Sequence, residues 1–198
     1  MIYYLVKFLL TPFFWLLFWP NVKNFNRLFF RGAGIIISNH FSLSDPIRLA
    51  FVVPRPMHFM AKQELFNTPL KRFFLKGLLA FPVYRKHADM VSLKQAMTVL
   101  ERGRIFGIFP EGRRSMTGEL DTFEKGAAFL ALRCNAPIIP VYADPDWKKH
   151  KKIRMIVGEA IDVNQIAEAR AGRGVDAVTE AIRDRMQALK NEMELELR

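Results

Sequence analysis

The chain has 198 residues and a mass of 23.0 kDa, which suits one domain with a substantial core and leaves little room for two. At 51% hydrophobic residues it is too apolar to be disordered. Its 30 Lys and Arg against 19 Asp and Glu leave a net charge of +11, which asks for an anionic partner: nucleic acid, acidic protein, phosphorylated metabolite or lipid surface. A single cysteine, Cys134, excludes an intramolecular disulfide framework and fits a reducing compartment. His40, His58, His87 and His150 are scattered, with no H-E-x-x-H or paired-cysteine spacing, so no metal site is expected.

Ile2 to Pro20 reads IYYLVKFLLTPFFWLLFWP, with Lys7 its only charge. The charge lies inside the run and large aromatics stand where a signal peptide has small cleavage residues, so the segment predicts a lipid anchor. A spanning helix needs about 20 residues, and Pro12 interrupts this run near its middle. A kinked helix or a helical hairpin in one leaflet is therefore preferred, with spanning left open and a buried core helix as the alternative. Tyr3, Tyr4, Trp15 and Trp19 suit the headgroup boundary, and Lys23, Arg27 and Arg31 place the remainder at the cytoplasmic face of the cell membrane. The organisation expected is an anchor over 1–24 and one domain over 25–198.

Beyond Gly34, short apolar runs alternate with helical stretches, the pattern of an α/β domain. Strands are predicted at Ile35 to Ser38, Met57 to Ala61, Phe81 to Tyr84, Arg104 to Phe109, Pro137 to Val141 and Ile153 to Val157. Helices are predicted after Ser44 or Asp45 with Pro46 in the first turn, around Pro69 to Leu78, and along Met90, Leu93, Met97 and Leu100 behind an Asp89 cap. Two more follow, at Lys125 to Arg133 and along Val175 to Met193. The polar EGRRSMTGEL reads as a loop, and KKHKK at Lys148 to Lys152 reads as a solvated surface loop or a contact for anionic lipid.

Two polar motifs each follow a strand. In Asn39-His40-Phe41-Ser42-Leu43-Ser44-Asp45-Pro46 a histidine leaves a strand and a carboxylate follows at a helix start. The carboxylate can hold one ring nitrogen while the other accepts a proton from an alcohol, and helix-start N–H groups can receive a developing oxyanion. The plain alternative is a helix cap beside a satisfied loop histidine. In Phe109-Pro110-Glu111-Gly112-Arg113-Arg114-Ser115, glycine lets the backbone approach a ligand and the guanidinium groups can take a phosphate. Arg85, after Phe81-Pro82-Val83-Tyr84, is a third strand-end cation; each arginine alone also reads as a solvated surface charge.

Together these blocks resemble the glycerolipid acyltransferases of the 1-acyl-sn-glycerol-3-phosphate acyltransferase type, from about Ile35 to Ile161. His40 and Asp45 match that family's N-H-x-x-x-x-D block, FPVYR its second, residues 109 to 115 its F-P-E-G-T-R-S, and Ile139-Pro140-Val141 its V-P-V. Ala61-Lys62-Gln63-Glu64-Leu65 resembles its A-K-x-E-L, and Phe123 to Phe129 its F-K-x-G-A stretch. The third block departs from the pattern: Arg113 stands for the usual Thr, so Arg114 matches the family's arginine and an extra cation adjoins it. The stretch before the first block is short, which favours a compact anchor.

The resemblance implies a single acyltransferase domain with a mixed central sheet flanked by helices, preceded by the apolar anchor. It implies that His40 deprotonates the hydroxyl of a lysophospholipid, Asp45 orients the imidazole, and the oxygen attacks an acyl thioester directly. Arg85 and Arg114 would bind the acceptor phosphate, with Arg113 and Lys62 as further candidates. Glu111 and Gly112 would shape the acceptor pocket, and Pro140 its wall. Acyl-CoA or acyl carrier protein would be the donor substrate, with no cofactor and no metal. No G-x-S-x-G elbow is present, Cys134 reads as core, and Ser42 and Ser44 are poor nucleophile candidates beside a base that already accounts for the pair. The alternatives are a relative acting on another lysolipid or an amino-acid-derived lipid, and a non-catalytic membrane adaptor. Nucleic acid is a poor partner, because the basic residues are not interleaved with aromatics.

Overall fold

The computed structural model describes residues 2–83, 90–115, 119–146, 152–166 and 174–197. Seven strands form one mixed sheet: β1 (Asn21–Lys23), β2 (Gly34–Ser38), β3 (Met57–Lys62), β4 (Ala80–Val83), β5 (Ile105–Ile108), β6 (Ile138–Ala143) and β7 (Arg154–Val157), in the order β1-β7-β6-β2-β5-β3-β4. The five strands from β6 to β4 are mutually parallel, while β7 runs antiparallel to β6 and β1 lies parallel to β7. Parallel strands need crossovers, and helices supply them: α2 (Asp45–Val52), α3 (Pro69–Gly77), α4 (Met90–Glu101) and α5 (Gly126–Cys134). α1 (Ile2–Phe18) precedes the sheet and α6 (Gly174–Glu196) closes the described chain.

The central strand shows why the sheet is buried on both faces. Ile35 and Ile37 of β2 point into a core shared with α4, α5 and α6, whereas Ile36 between them points into a second core with Phe14 of α1 and Leu49 and Val52 of α2. Period-two alternation therefore yields an unbroken apolar run. The parallel strands leave their carboxyl ends along one edge, where the chain exits β2 at His40 and β5 at Phe109. A ligand crevice in an open α/β sheet forms at such an edge.

Every predicted strand and helix from Ile35 onward is present among the described residues, with ends shifted by up to three residues. The Asp89 cap, Tyr84 and nearly all of KKHKK lie outside the described residues. The α4 face differs from the expected one. Ser92, Ala96, Val99 and Leu100 are buried, whereas Met90 is exposed.

The amino-terminal segment departs further. α1 is one helix that continues through Pro12, so the helical hairpin is not formed. It has 17 residues, roughly 25 Å of rise, and no helix among the described residues is long and apolar enough to cross a membrane. Tyr3, expected at a headgroup boundary, is instead 5% exposed, and its hydroxyl accepts a hydrogen bond from the Met57 amide. Tyr4 and Trp19 do stand out into solvent. The segment assigned to the anchor also contributes β1, which pairs with Arg154–Ile156 at the sheet edge. Three residues are too few to display strand alternation, which is why sequence alone passed over it.

Candidate active site

His40 is two residues beyond β2, and Asn39 fixes the path between them. The buried Asn39 side chain donates to the Ala143 carbonyl at 2.7 Å and accepts from the Ala143 amide at 2.8 Å, tying the end of β2 to the end of β6. The chain then turns into α2, whose first residue is Asp45. His40 Nδ1 lies 3.0 Å from Asp45 Oδ2, and the Phe41 and Ser42 amides each donate to the same oxygen at 2.7 Å. Arg48, one turn along α2 and 4% exposed, forms an ion pair with the other oxygen, Oδ1. Burial pushes the Asp45 carboxyl up, but the hydrogen bond from His40, the Arg48 charge and the two amides outweigh it and hold the carboxyl below its ordinary value.

An ionised carboxylate only accepts hydrogen bonds, so Nδ1 is the protonated ring nitrogen and Nε2 carries the lone pair. The side chains expected to meet do meet, and the tautomer suits a base. The Phe41 and Ser42 amides are engaged by Asp45, the Ser44 amide by Ser42 Oγ at 3.3 Å, and the Asp45 amide by the Ser42 carbonyl at 3.1 Å. The Phe41 and Ser42 amides therefore hold the Asp45 carboxylate, while the Ser44 and Asp45 amides turn back onto Ser42.

The loop after β5 grips His40 along its backbone. The His40 amide donates to Glu111 Oε1 at 3.1 Å, and the His40 carbonyl accepts from the Ser115 amide at 2.8 Å. Phe109 stacks on the imidazole with centroids 4.3 Å apart, and Phe59 of β3 lies parallel to Phe109 at 6.3 Å. Gly107 makes room for this stack: a Cβ there would come within 2.4 Å of the Phe59 ring. Gly112 turns the loop at φ +64°, a conformation costly for other residues.

Glu111 is 4% exposed, and burial raises its carboxyl to about 7 despite the His40 amide; Oε2 has no hydrogen-bond partner among the described residues. Arg113 is paired with Asp121 through Nε at 2.8 Å and a terminal nitrogen at 2.6 Å, so the cation that replaces the family's Thr braces its own loop. Arg114 is exposed and directly precedes Ser115. Lys62 is exposed at the carboxyl end of β3, and Arg85 lies outside the described residues. Pro140 is buried in β6, facing Gly158.

Ser42 Oγ and Ser44 Oγ bond each other at 3.0 Å, so neither hydroxyl is joined to the base. Cys134 ends α5 half-buried, and burial raises its thiol above the usual value, opposite to what an activated thiolate requires. Arg48 is the participant that sequence reading missed. Its signal was an arginine three residues after Asp45 on a predicted helix, where side chains share a face.

The Acyltransferase family model matches residues 20–144. The chain belongs to the Acyltransferase family. A 1-acyl-sn-glycerol-3-phosphate acyltransferase of Bacillus subtilis is 33% identical over 166 residues, covering 81% of this chain and 82% of its own. A protein of the same name from Streptococcus pneumoniae is 28% identical, covering 80% of this chain and 61% of its own. The crystal structure of PlsC, the 1-acyl-sn-glycerophosphate (LPA) acyltransferase of Thermotoga maritima, superposes with a TM-score of 0.70 at 22% identity, over 91% of this chain and 74% of that one. That likeness establishes the fold of this Acyltransferase member.

Proposed function

We propose that the protein transfers an acyl chain from an acyl thioester to the free hydroxyl of 1-acyl-sn-glycerol-3-phosphate, giving phosphatidic acid. The observation that carries this reading is the 3.0 Å contact from His40 Nδ1 to an Asp45 carboxylate held by two amides and Arg48, which leaves Nε2 as a base. Nε2 takes the hydroxyl proton as the acceptor oxygen attacks the thioester carbonyl carbon. The tetrahedral adduct collapses with cleavage of the C–S bond, and the imidazolium returns the proton to the leaving thiolate. Asp45 stabilises the imidazolium and fixes the ring, and no acyl-enzyme forms.

Arg114 is assigned to the acceptor phosphate together with Arg85, with Lys62 and Arg113 further out. Support for Arg114 comes from its place next to Ser115, whose amide bonds the His40 carbonyl. Acyl-CoA or acyl carrier protein, both acidic, suits the net charge of +11. The protein would work at the cytoplasmic face of the cell membrane, with the exposed apolar side of α1, including Phe8, Phe13 and Leu16, in the lipid.

The test offers purified protein a panel of lysolipids with acyl-CoA and with acyl carrier protein. Lysophosphatidic acid should be the preferred acceptor. His40→Ala should abolish transfer, and Asp45→Asn should lower kcat on the order of 10³-fold or more with little change in acceptor KM. Full turnover by the His40 variant would defeat the mechanism.

A further inference from the structure

α3 is a well-started helix with no fully buried residue; only Leu75 and Gly77 are half-buried. Thr68 caps it by accepting from the Lys71 amide at 3.3 Å, and Pro69 fills the first turn. A helix on a soluble protein normally turns one apolar stripe inward. Here Leu70, Phe73 and Phe74, at i, i+3 and i+4, share a face and are 66%, 59% and 51% exposed. Gly77, next on that stripe, abuts the amino-terminal end of α1: a Cβ on it would lie 3.1 Å from the Ile2 side chain. The apolar face of α3 thus continues onto α1, whose Tyr4, Leu5, Phe8 and Leu9 are also exposed.

We propose that α3 is a second lipid-contacting element, which seats Leu70, Phe73 and Phe74 below the headgroups of an anionic leaflet while Lys71, Arg72 and Lys76 meet the phosphates. The proposal rests on the reading of α1 as a lipid contact and extends it to a helix far along the chain. Charge selects the occupant. α3 carries three cations and no acid, so two copies of this chain meeting face to face through it would set like charges against each other. A negatively charged leaflet complements them, and long basic side chains can reach headgroups while their stems lie along apolar neighbours. Two elements from opposite ends of the α1–α3 contact would also fix the tilt of the sheet, and with it the His40 edge, against the bilayer.

The experiment measures cosedimentation with vesicles of phosphatidylcholine alone and of phosphatidylcholine with one quarter phosphatidylglycerol, using the full chain. Replacing Leu70, Phe73 and Phe74 by Ser should lower the partition onto anionic vesicles at least tenfold with the Tm unchanged. Lys71→Gln with Lys76→Gln should lower partition onto anionic vesicles and spare the neutral ones. Wild-type partition by the triple variant overturns the proposal, as does a change of oligomeric state on sedimentation velocity with vesicle binding intact. A Phe8→Ser, Leu16→Ser variant separates the two readings. If it loses binding while the α3 variant keeps it, α3 alone is refuted; if both keep it, the lipid reading of α1 fails as well.

Discussion

Asp45 and Glu111 are buried carboxyl groups on either side of His40, and their surroundings drive them apart. Asp45 is compensated by an imidazole, a guanidinium and two amides, so it stays ionised; Glu111 has only the His40 and Asp121 backbone N–H groups against its burial and is raised to about 7. A carboxyl whose folded value is raised binds more protons folded than unfolded, so its contribution is present at low pH and is lost as pH rises through the window from about 4.5 to about 7. Glu111→Gln keeps an oxygen for the His40 amide and removes the buried charge. The variant should therefore be more stable than the wild type at pH 8, by up to about 3 kcal/mol, and the gap should close near pH 4.5. Denaturant unfolding at the two pH values checks this; a gap independent of pH would refute it. At this scale the sequence was informative about chemistry and silent about environment. Spacing brought His40 to Asp45, because a strand end and the next helix start are forced together. Nothing in FPEGRRS showed that Arg113 would turn to Asp121, since that partner lies in a loop whose course is set by tertiary contacts.

Between elements, α1 serves two purposes on two faces. Lys7, the only charge of the apolar run, donates to the carbonyls of Ala50, at 2.9 Å, and Val53, where the last turn of α2 leaves acceptors unpaired. Burial lowers its ammonium to about 8. Two turns further along, Phe14 stacks on Phe51 at 4.8 Å and is buried in the core. α1 is thus fastened to the helix that begins with Asp45. Phe14→Ala should destabilise the whole domain by about 3 kcal/mol, whereas Phe8→Ala, at 79% exposure, should leave the Tm within a degree or two. Equal losses would mean that Phe8 is packed too, and no loss from Phe14 would mean that α1 is separable from the fold. Hydropathy displayed α1 plainly but could not tell its two faces apart, because a helix apolar all round carries no stripe. The lone lysine marked the docked side, and its meaning became visible only with the α2 carbonyls in place.

Across the whole molecule, the alternation of strands and helices was enough to read the α/β architecture, whereas the sheet order was not, since crossover directions are set by which faces pack together. The net charge of +11 was the bluntest signal of all, and it now has a setting: an apolar surface of α1 and α3 accompanied by cations, on a protein whose proposed substrates are anionic. Apolar insertion is insensitive to ionic strength, while attraction to an anionic leaflet is screened as the Debye length falls from about 10 Å at 0.1 M salt to about 3 Å at 1 M. Each basic residue near such a surface contributes roughly 1 kcal/mol, so losing a few of these interactions is a large change in partition. Raising salt across that range should lower binding to anionic vesicles tenfold or more and leave binding to neutral vesicles nearly constant. A neutral-vesicle partition that falls in parallel would assign the whole interaction to charge and leave the exposed aromatic face of α1 without a role in binding.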